Sequence, residues 1–413
     1  MSTVALVRCD SYDDALVLDA VRRGLDLLGG VAEFVRSGER LILKPNVLAP
    51  STPDKAVTTH PSVMKAVARV LLDAGARLSY GDAVGVPLLP SAMAMKRVGL
   101  SQVAEELGIS PADFDHGTLV SFANGISSKK LFIAQALLDT DGVISLPKFK
   151  THGLTRFTGA VKNQFGCVPG MVKGEYHARF ADPTEFAGLL ADITAFVNPR
   201  LYVMDAIVAM EGNGPQSGDP VKMGLLLFST DPVALDATCC RLIDLDPAFV
   251  PTTAAGEKAG LGTSDAAQIR LKGDPLESFV NKSFNVVRRP PARLLQNKFV
   301  ARVRNHTTRR PVIIAAKCTK CGMCVKMCPV QPKAVQFARD DKSRPPSYDY
   351  SRCIRCFCCH EACPSQAIVI KRPLLGRVLP PLAFAALLAV RIASGRENRR
   401  ASAAGRQRSG AGR

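Results

Sequence analysis

Two cysteine runs near the carboxyl end of the 413-residue chain have the same spacing. CTKCGMCVKMCP (residues 318–329) and CIRCFCCHEACP (residues 353–364) both follow C-x2-C-x2-C-x3-C-P, and corresponding cysteines are 35 residues apart. Three thiolates at this pitch suit three iron corners of a cubane, and the fourth ligand comes from the other run. The spacing therefore predicts two [4Fe-4S] clusters, the first held by Cys318, Cys321, Cys324 and Cys363 and the second by Cys353, Cys356, Cys359 and Cys328.

These cysteines have two simpler interpretations, zinc and disulfides. Structural zinc sites usually take four ligands in pairs and do not require a third cysteine at the same pitch. The amino terminus has no secretory signal pattern, so we expect a cytoplasmic protein whose thiols stay reduced. Cys358 lies inside the second run, beside Cys359. The repeat assigns the ligand role to Cys359 and predicts that Cys358 is a spare thiol.

The net charge of +18 is concentrated in two segments. Residues 281–310 carry nine Lys or Arg and no acid, and residues 371–413 carry ten with the single acid Glu397. A sequence-specific nucleic-acid binder more often interleaves basic and aromatic residues on a folded face. We therefore interpret residues 281–310 as a basic linker and do not expect a nucleic-acid partner.

Residues 371–413 begin apolar and finish as a basic, low-complexity stretch, whose end we expect to be disordered. Two prolines and Arg377 interrupt the apolar part, residues 373–393, and its clean portion is shorter than the roughly 20 residues that span a bilayer. We expect at most a peripheral contact of this tail with the inner face of the membrane.

Residues 1–280 alternate short apolar runs with longer segments of helical periodicity. We predict strands at 4–7, 41–44, 76–80, 142–146, 201–208 and 223–229, and helices at 13–28, 61–75, 183–197 and 232–245. Such alternation requires crossover connections between strands. The predicted fold class is therefore α/β, with a largely parallel sheet flanked by helices, followed by a compact cysteine-rich domain at residues 311–370.

Polar side chains follow the predicted strands of the large domain. Because the carboxyl ends of parallel strands share one rim, where ligands bind, we expect these groups to meet in one pocket. The strip LPKFKTHGLTRFTGAVKNQFG, residues 146–166, adds lysines to this rim, and no acid occurs between Asp141 and Glu175. The predicted ligand is an anionic group, a carboxylate or a phosphate; a solvated lysine surface is the alternative. The predicted substrate-binding residues are Lys44, Asn46, Asp82, Lys148, Lys150, Asn163, Asp205 and Glu211.

Three residues are predicted to be catalytic: His152, His177 and Lys162. Histidine titrates near neutral pH, which makes both histidines candidate proton donors; the alternative is that each is a structural hydrogen-bonding group. Asp231 also ends a predicted strand, but it precedes Pro232 and a helical run, so a helix N-cap explains it without a functional role. No G-x-G-x-x-G follows the first strand, so nicotinamide and flavin binding have no positive support.

The large domain resembles a known family. Over roughly residues 1–280 the chain is similar to the domain-of-unknown-function 362 family, at KPN (44–46), THPSVMKAV (59–67), GDA (81–83), the strip extended to residue 170, DAIVAMEGNGP (205–215) and STDPVALDA (229–237). The cysteine module resembles a bacterial-type two-cluster ferredoxin domain, which is a small α+β fold. The resemblance implies one-electron transfer through the module and leaves the reaction of the large domain open.

The leading functional hypothesis is an iron–sulfur oxidoreductase that passes single electrons to an anionic substrate or a redox partner bound in the α/β domain. The alternative is a non-catalytic electron carrier or assembly factor whose large domain binds a protein. A third class is a redox-responsive protein whose basic segments touch anionic lipid or nucleic acid. The first two hypotheses require an electron-donor or electron-acceptor protein as a partner.

Overall fold

A computed structural model describes residues 1–85, 90–290, 308–338 and 341–374. The large domain is built on one ten-stranded sheet. Its strands are β1 (Ser2–Arg8), β2 (Arg40–Pro45), β3 (Arg77–Tyr80), β4 (Ser110–Pro111), β7 (Gly142–Leu146), β8 (Lys148–His152), β9 (Arg156–Thr158), β10 (Leu201–Glu211), β11 (Asp219–Ser229) and β12 (Ile269–Gly273). Strands β5 (Gly117–Ser121) and β6 (Lys130–Ala134) form a separate antiparallel hairpin.

Helices cover both faces of this sheet. They are α1 (Asp14–Leu27), α2 (Pro61–Asp73), α3 (Ser91–Arg97), α4 (Leu100–Leu107), α5 (Ala160–Asn163), α6 (Val172–Arg179), α7 (Pro183–Val197), α8 (Pro232–Leu242) and α9 (Pro251–Lys258). Helices α1 to α4 bury their apolar stripes in one core, and α8 buries its own in the core on the opposite face. Asp13, Asp182 and Asp231 accept backbone N–H groups at the starts of α1, α7 and α8, which fixes where these helices begin.

The strand order is β12-β1-β11-β10-β7-β2-β3-β4, with β8 beside β10 and β9 beside β8. Pairing is parallel from β10 through β7, β2 and β3 to β4, whereas β11 is antiparallel to both of its neighbours. The predicted α/β class with a largely parallel sheet is confirmed. Every predicted strand and helix overlaps an observed element of the same type.

The reversed direction of β11 corrects one expectation about the rim. Tyr202, at the start of β10, pairs with Ser229, at the end of β11. Asp231 therefore lies at the edge of the sheet opposite to the carboxyl ends of the parallel strands. There its carboxylate accepts hydrogen bonds of 2.8 Å from both Val233 N and Ala234 N and caps α8. The N-cap interpretation of Asp231 is confirmed, and its placement with the rim groups was wrong.

The strip of residues 146–166 forms the antiparallel hairpin β8–β9 and then helix α5. The turn of this hairpin holds Arg156 in the left-handed region, with a φ of 72°. Such a conformation is costly for a residue with a side chain. The Arg156 guanidinium donates to the carbonyl oxygens of Arg289 and Pro290 at 2.9 and 3.1 Å, so this residue ties the hairpin to the chain that leaves the large domain.

The first part of the predicted linker packs on the large domain. Phe284 is buried in the core under α8, and Arg288 donates to the carbonyl oxygens of Ile243 and Asp244. The predictions made for residues 291–307 and for the tail from residue 375 onward lie outside the described residues. Within the described ranges, the helices are all too short or too polar to cross a membrane.

The cysteine module is small and internally repeated. Its elements are β13 (Arg310–Ile313), α10 (Met323–Lys326), β14 (Val335–Gln336), β15 (Ser347–Tyr348), α11 (Cys358–Glu361) and β16 (Ile368–Lys371), with β13 paired to β16 and β14 to β15. Lys320 and Gly322 before α10 have positive φ, and so do Arg355 and Phe357 before α11. The 35-residue repeat of the sequence is therefore also a repeat of backbone conformation.

Candidate functional site

Strand β8 carries the polar groups of the strip to one side of the sheet. Side chains alternate along a strand, so Lys148, Lys150 and His152 share a side while Phe149 enters the apolar core on the other. All three polar side chains are buried. Burial makes their charged and polar atoms dependent on partners inside the protein.

Two of the predicted substrate-binding lysines are held in buried ion pairs. Lys44 Nζ lies 2.7 Å from Asp82 Oδ1, and the second oxygen of Asp82 accepts a hydrogen bond from Val47 N. Lys148 Nζ lies 2.8 Å from Asp205 Oδ2. Each ammonium group thus has a carboxylate partner inside the protein, which compensates for its lost hydration.

The Lys148–Asp205 pair belongs to a larger network. Tyr12 Oη donates to Asp205 Oδ1 and accepts from Lys148 Nζ, with both distances at 2.8 Å. His60 N donates to Asp205 Oδ2 at 2.9 Å, and the rings of Tyr12 and His60 stack with centroids 3.6 Å apart. Tyr12 follows the first strand, between Ser11 and Asp13, and sequence reasoning missed it because its partner Asp205 is far away in the chain.

Lys150 and Lys173 are buried against neutral oxygen atoms. Lys150 Nζ donates to Asn46 Oδ1 and to Val57 O, both at 2.7 Å, and Lys173 Nζ donates to two backbone carbonyls that follow β3. Loss of hydration in these places lowers the pKa of Lys150 to about 7 and that of Lys173 to about 8. Both groups therefore exchange protons near neutral pH.

His152 is neutral and has a fixed tautomer. Its Nδ1 accepts hydrogen bonds from Leu154 N and Thr155 N at 3.0 and 3.2 Å, which places the ring proton on Nε2. Nε2 lies 2.9 Å from Glu361 Oε1, in a close electrostatic contact rather than an aligned hydrogen bond. Burial and the charge of Lys162 lower the pKa of His152 to about 3. The premise that this ring titrates near neutral pH is therefore wrong.

Glu361 brings the cysteine module to the rim. It lies on α11, between two cysteines of the second run, where a sequence search for metal ligands has no reason to select it. Burial alone would raise the pKa of Glu361, but nearby His152, Lys162 and His177 lower it below its ordinary value. The Glu361 carboxylate thus brings a negative charge to the group of buried basic side chains at the rim.

A pocket with about 580 Å³ of open space lies where the rim meets the module. It contains several residues that the sequence predicted to act together. The large domain contributes Asn46, Asp82, Lys162, Asn163, Phe165, Lys173 and His177, and the module contributes Met327, Cys358 and Glu361. We call this space the rim pocket.

His177 is a buried part of the wall of the rim pocket. Its ring stacks on Phe186 with centroids 4.3 Å apart and meets the edge of Phe165. Burial lowers the pKa of His177 to about 4, so the ring is neutral at pH 7. Among the described residues, no group forms a hydrogen bond with its Nδ1. A buried nitrogen of this kind needs a partner, which a ligand in the pocket can supply.

Helix α5 presents Lys162 and Asn163. Its first residues are held by Asp236, which belongs to the motif STDPVALDA (229–237). Asp236 on α8 is buried, and its carboxylate accepts hydrogen bonds from Ala160 N at 2.6 Å and Val161 N at 3.2 Å. Burial raises the pKa of Asp236 to about 7 despite these hydrogen bonds. Glu211 is not a residue of the rim pocket, because its carboxylate accepts from Asn285 N at the far end of β10.

Four cysteines from the two runs of the module line one cavity; we call them the first cysteine set, and they are Cys318, Cys321, Cys324 and Cys363. Burial and the neighbouring sulfur atoms of Cys363, Cys321 and Cys318 raise the pKa of Cys324 to about 12. The crossed arrangement is therefore present: the fourth sulfur comes from the other run.

The second cysteine set is more deeply placed, and it consists of Cys328, Cys353, Cys356 and Cys359. Three of these pack in the same buried cluster of the module. The Cys358 thiol forms a hydrogen bond with Cys356, which lowers the pKa of Cys356. Cys358 thus lies beside a proposed cluster ligand and forms a hydrogen bond with it.

The donors in the module fit an iron–sulfur group. Backbone N–H groups of Ala334 and Ala367 donate to the sulfur atoms of Cys328 and Cys363 at 3.4 and 3.3 Å. Such hydrogen bonds stabilise thiolates that ligate a cluster. Within the described residues, no three side chains of His, Cys, Asp or Glu are arranged to hold a single metal ion.

Together the fold and the site define a class: an α/β domain that carries an iron–sulfur electron-transfer module at its carboxyl end. The model of the family named domain of unknown function (DUF362) matches residues 41–241, and the model of the 4Fe-4S dicluster domain matches residues 310–364. A thylakoid-associated protein of Synechocystis sp. is 36% identical over 268 residues, which cover 64% of this chain and 82% of that protein. The chain belongs to the DUF362 family, as its sequence motifs predicted.

Two solved structures are distantly similar to the chain. The lactate racemase apoprotein of Thermoanaerobacterium thermosaccharolyticum has a TM-score of 0.39 and 13% identity, over 59% of this chain and 57% of that one. A Thermotoga maritima protein has a TM-score of 0.34 and 12% identity, over 62% of this chain and 61% of that one. The match thus spans about three fifths of each of these proteins.

The buried ion pair generates a stability prediction. Lys148→Met leaves the Asp205 carboxylate buried without its ammonium partner, so we expect the free energy of unfolding to fall by about 3–5 kcal/mol in urea denaturation. Lys65→Met is the matched control, since Lys65 bridges the exposed Asp14 and Glu106 and its loss should cost about 0–1 kcal/mol.

Adding Asp205→Asn to Lys148→Met removes the unpaired charge and keeps an acceptor for the network. We expect this double variant to recover at least part of the lost stability. Equal losses for Lys148→Met and Lys65→Met would show that the buried pair is not a structural element of the rim.

Proposed function

We propose that this protein is an iron–sulfur oxidoreductase with two [4Fe-4S] clusters, which passes single electrons to a small anionic substrate in the rim pocket. The observation that carries the proposal is the shared wall of this pocket. Lys162 and Lys173 come from the large domain, and Cys358 comes from the module, directly beside the proposed ligand Cys359. A substrate in the pocket is therefore next to the shell of the second cysteine set.

The charges around the rim pocket favour an anion. Lys150, Lys162 and Lys173 bring three ammonium groups, and Glu361 brings one carboxylate. The other acid of the wall, Asp82, is already paired with a lysine. A carboxylate or phosphate would balance the remaining positive charge with charge-assisted hydrogen bonds.

Neutral groups of the wall complete the proposed binding site. Asn46 and Asn163 are held together by a hydrogen bond of 3.2 Å, which orients both amides. His177 adds its unpartnered Nδ1. Amide and imidazole groups orient a polar ligand without adding charge, so they supply direction where the lysines supply attraction.

In this proposal the module supplies electrons to the substrate and the large domain supplies protons. Iron–sulfur clusters supply one-electron transfer when bound. Lys150 and Lys173, whose pKa values of about 7 and about 8 lie near neutral pH, replace the histidines as proton-exchanging groups. Neutral His152 then has a positioning role, through the electrostatic contact of its Nε2 with Glu361 Oε1.

The decisive experiment monitors the metal centres while an anion binds. Protein reconstituted anaerobically and reduced with dithionite is studied by EPR with and without oxalate or inorganic phosphate as probes. We expect a probe to shift the signal of one of two clusters and to leave the other unchanged. The double variant Lys162→Met/Lys173→Met should lose this shift, whereas the exposed-site control Lys129→Met should retain it.

A screen of small anionic metabolites for oxidation of the reduced protein then identifies the substrate. If no probe or metabolite changes the EPR signals or the oxidation rate, the catalytic proposal fails. The non-catalytic carrier or assembly factor, in which the large domain binds a protein, would then account for the module.

Anion binding should weaken as the pH rises. The folded pKa values of Lys150 and Lys173 lie below the ordinary value for lysine, so both groups lose their charge between about pH 6.5 and about pH 8.5. The groups around Lys150 are Lys148, Lys162, Asp82 and Glu361, and those around Lys173 are Asp82, Lys44, Cys167 and Lys162.

Oxalate is the probe for this titration because it keeps a constant charge over that range. We expect its Kd, measured by calorimetry, to rise by about ten- to hundredfold between about pH 6.5 and about pH 8.5. In Lys173→Met the rise should be smaller, because one of the two titrating groups is gone. A Kd that is independent of pH would contradict the role of these lysines.

The two-cluster proposal predicts opposite outcomes for neighbouring cysteines. Cys358→Ala should keep the full iron and sulfide content and lower the reduction potential of one cluster, because a hydrogen bond to Cys356 is lost. Cys359→Ala should lose about half of the iron, since one of two cubanes loses a ligand. Iron loss in Cys358→Ala with retention in Cys359→Ala would reverse the assignment.

The membrane contact of the tail also remains a proposal. It is supported by the similarity to a protein described as thylakoid-associated and by the basic composition of residues 371–413. Basic segments bind anionic membrane surfaces through charge. Peripheral attachment at the inner face of the membrane is compatible with a cytoplasmic electron-transfer role.

A further inference from the structure

The two cysteine sets differ in their access to the surface of the module. Thr319 and Lys320 line the cavity of the first cysteine set and are exposed, and Cys321 is itself exposed. A protein that docks over these residues would come within short range of a cluster held there. The first cysteine set therefore has the accessibility that electron exchange with another protein requires.

The second cysteine set has the opposite environment. Cys328, Cys353 and Cys359 are buried. Met327 and Cys358, which neighbour two of these ligands in sequence, line the rim pocket. The module thus has one end at the surface and one end at the substrate pocket.

The exposed end of the module is basic. Residues 311–370 contain nine Lys or Arg and four Asp or Glu. The large domain, residues 1–280, is slightly acidic, with 26 Lys or Arg and 31 Asp or Glu. Lys320 and Lys342 are exposed. Hydrogen bonds from Ser343 lower the pKa of Asp341, and the charge of Lys320 adds to this effect, so the two groups lie in the same part of the module. Among the described residues here, Lys317, Lys320 and Lys342 outnumber the one acid Asp341.

We propose that an acidic one-electron carrier protein docks on this surface and reduces the protein there. We call the surface the docking face; it consists of Lys317, Thr319, Lys320 and Cys321, with Lys342 at its edge. The inference rests on the proposed function, in which electrons move toward the rim pocket. In each transfer the carrier would lose one electron and become oxidised, and the iron–sulfur group that Cys318, Cys321, Cys324 and Cys363 would hold would be reduced by it; no proton or leaving group moves.

Charge complementarity supports this type of partner. Opposite charges on two proteins speed their encounter and orient them, and the effect decreases as salt screens the charges. A partner with an acidic surface around its own redox centre would be oriented with that centre over Cys321. A basic partner would be repelled by the same lysines.

The test uses an oxidised plant-type [2Fe-2S] ferredoxin with an acidic surface as the probe and the reconstituted full chain as its target. Its Kd is measured by calorimetry at about 0.01 M and about 0.15 M ionic strength, where the Debye length is about 30 Å and about 8 Å. We expect binding to weaken by about tenfold or more at the higher salt. In Lys317→Glu/Lys320→Glu/Lys342→Glu, binding at low salt should weaken by at least about tenfold and lose most of its salt dependence.

The matched control is Lys96→Glu/Lys130→Glu/Lys258→Glu, which changes the net charge equally at exposed sites of the large domain. It should bind the ferredoxin as the unsubstituted protein does. Reduction by the cationic radical of methyl viologen, followed by stopped flow, should be as fast or faster in the docking-face variant, which shows that its clusters are intact.

Three results would overturn the inference: salt-independent or absent binding by the unsubstituted protein, equal weakening in both triple variants, or normal binding by the docking-face variant. The proposal of a substrate in the rim pocket is tested separately. Lys162→Met/Lys173→Met should bind the ferredoxin normally, so a failure of the substrate proposal leaves this result intact, and the reverse also holds.

Discussion

The burial of lysine ammonium groups at the rim of the sheet is the constraint on which the rest of the structure depends. An ammonium group taken out of water is costly unless a partner replaces its hydration. Lys44 receives a carboxylate that follows strand β3, and Lys148 receives one from within strand β10, at 2.7 and 2.8 Å. Lys150 and Lys173 receive only neutral oxygen atoms, and their lowered pKa values record the difference. The positive charges of Lys44 and Lys148 are therefore balanced by carboxylates, whereas those of Lys150 and Lys173 are not.

The cysteine module partly completes this rim. Glu361 lies against His152, and Lys162 is near it. His152 and Lys162 lower the pKa of Glu361, and the charge of Glu361 in turn acts on both of them. Because Glu361 lies on the helix of the second cysteine run, the same short element that holds the cluster also sets the charge of the pocket. Gln216 of the large domain adds a hydrogen bond to the carbonyl oxygen of Cys363 at 3.3 Å. The large domain and the module thus both contribute to the wall of the rim pocket.

The sequence contained most of the fold and about half of the site. Apolar periodicity located the strands and helices correctly, because burial on a sheet face or a helix stripe is a local pattern. It did not reveal that β11 runs antiparallel, since direction depends on which strands become neighbours, and Asp231 was misplaced for this reason. The pairing of Lys44 and Lys148 was hidden in the same way. Glu361 was invisible because its role arises from contact between residues more than 200 positions apart.

The burial of lysines that have no carboxylate partner is the physical ground for proposing a ligand in the rim pocket. A chain that only relayed electrons would gain stability if Lys150 and Lys173 were replaced by apolar residues of similar size, because the buried ammonium groups oppose folding. Both are held in place by specific acceptors, and Lys173 lines an open space with a buried imidazole nitrogen that lacks a partner among the described residues. The proposed function accounts for these features together, through a ligand whose negative charge and hydrogen-bonding atoms complete the site. Such a ligand would lie beside Cys358, the sequence neighbour of the proposed cluster ligand Cys359.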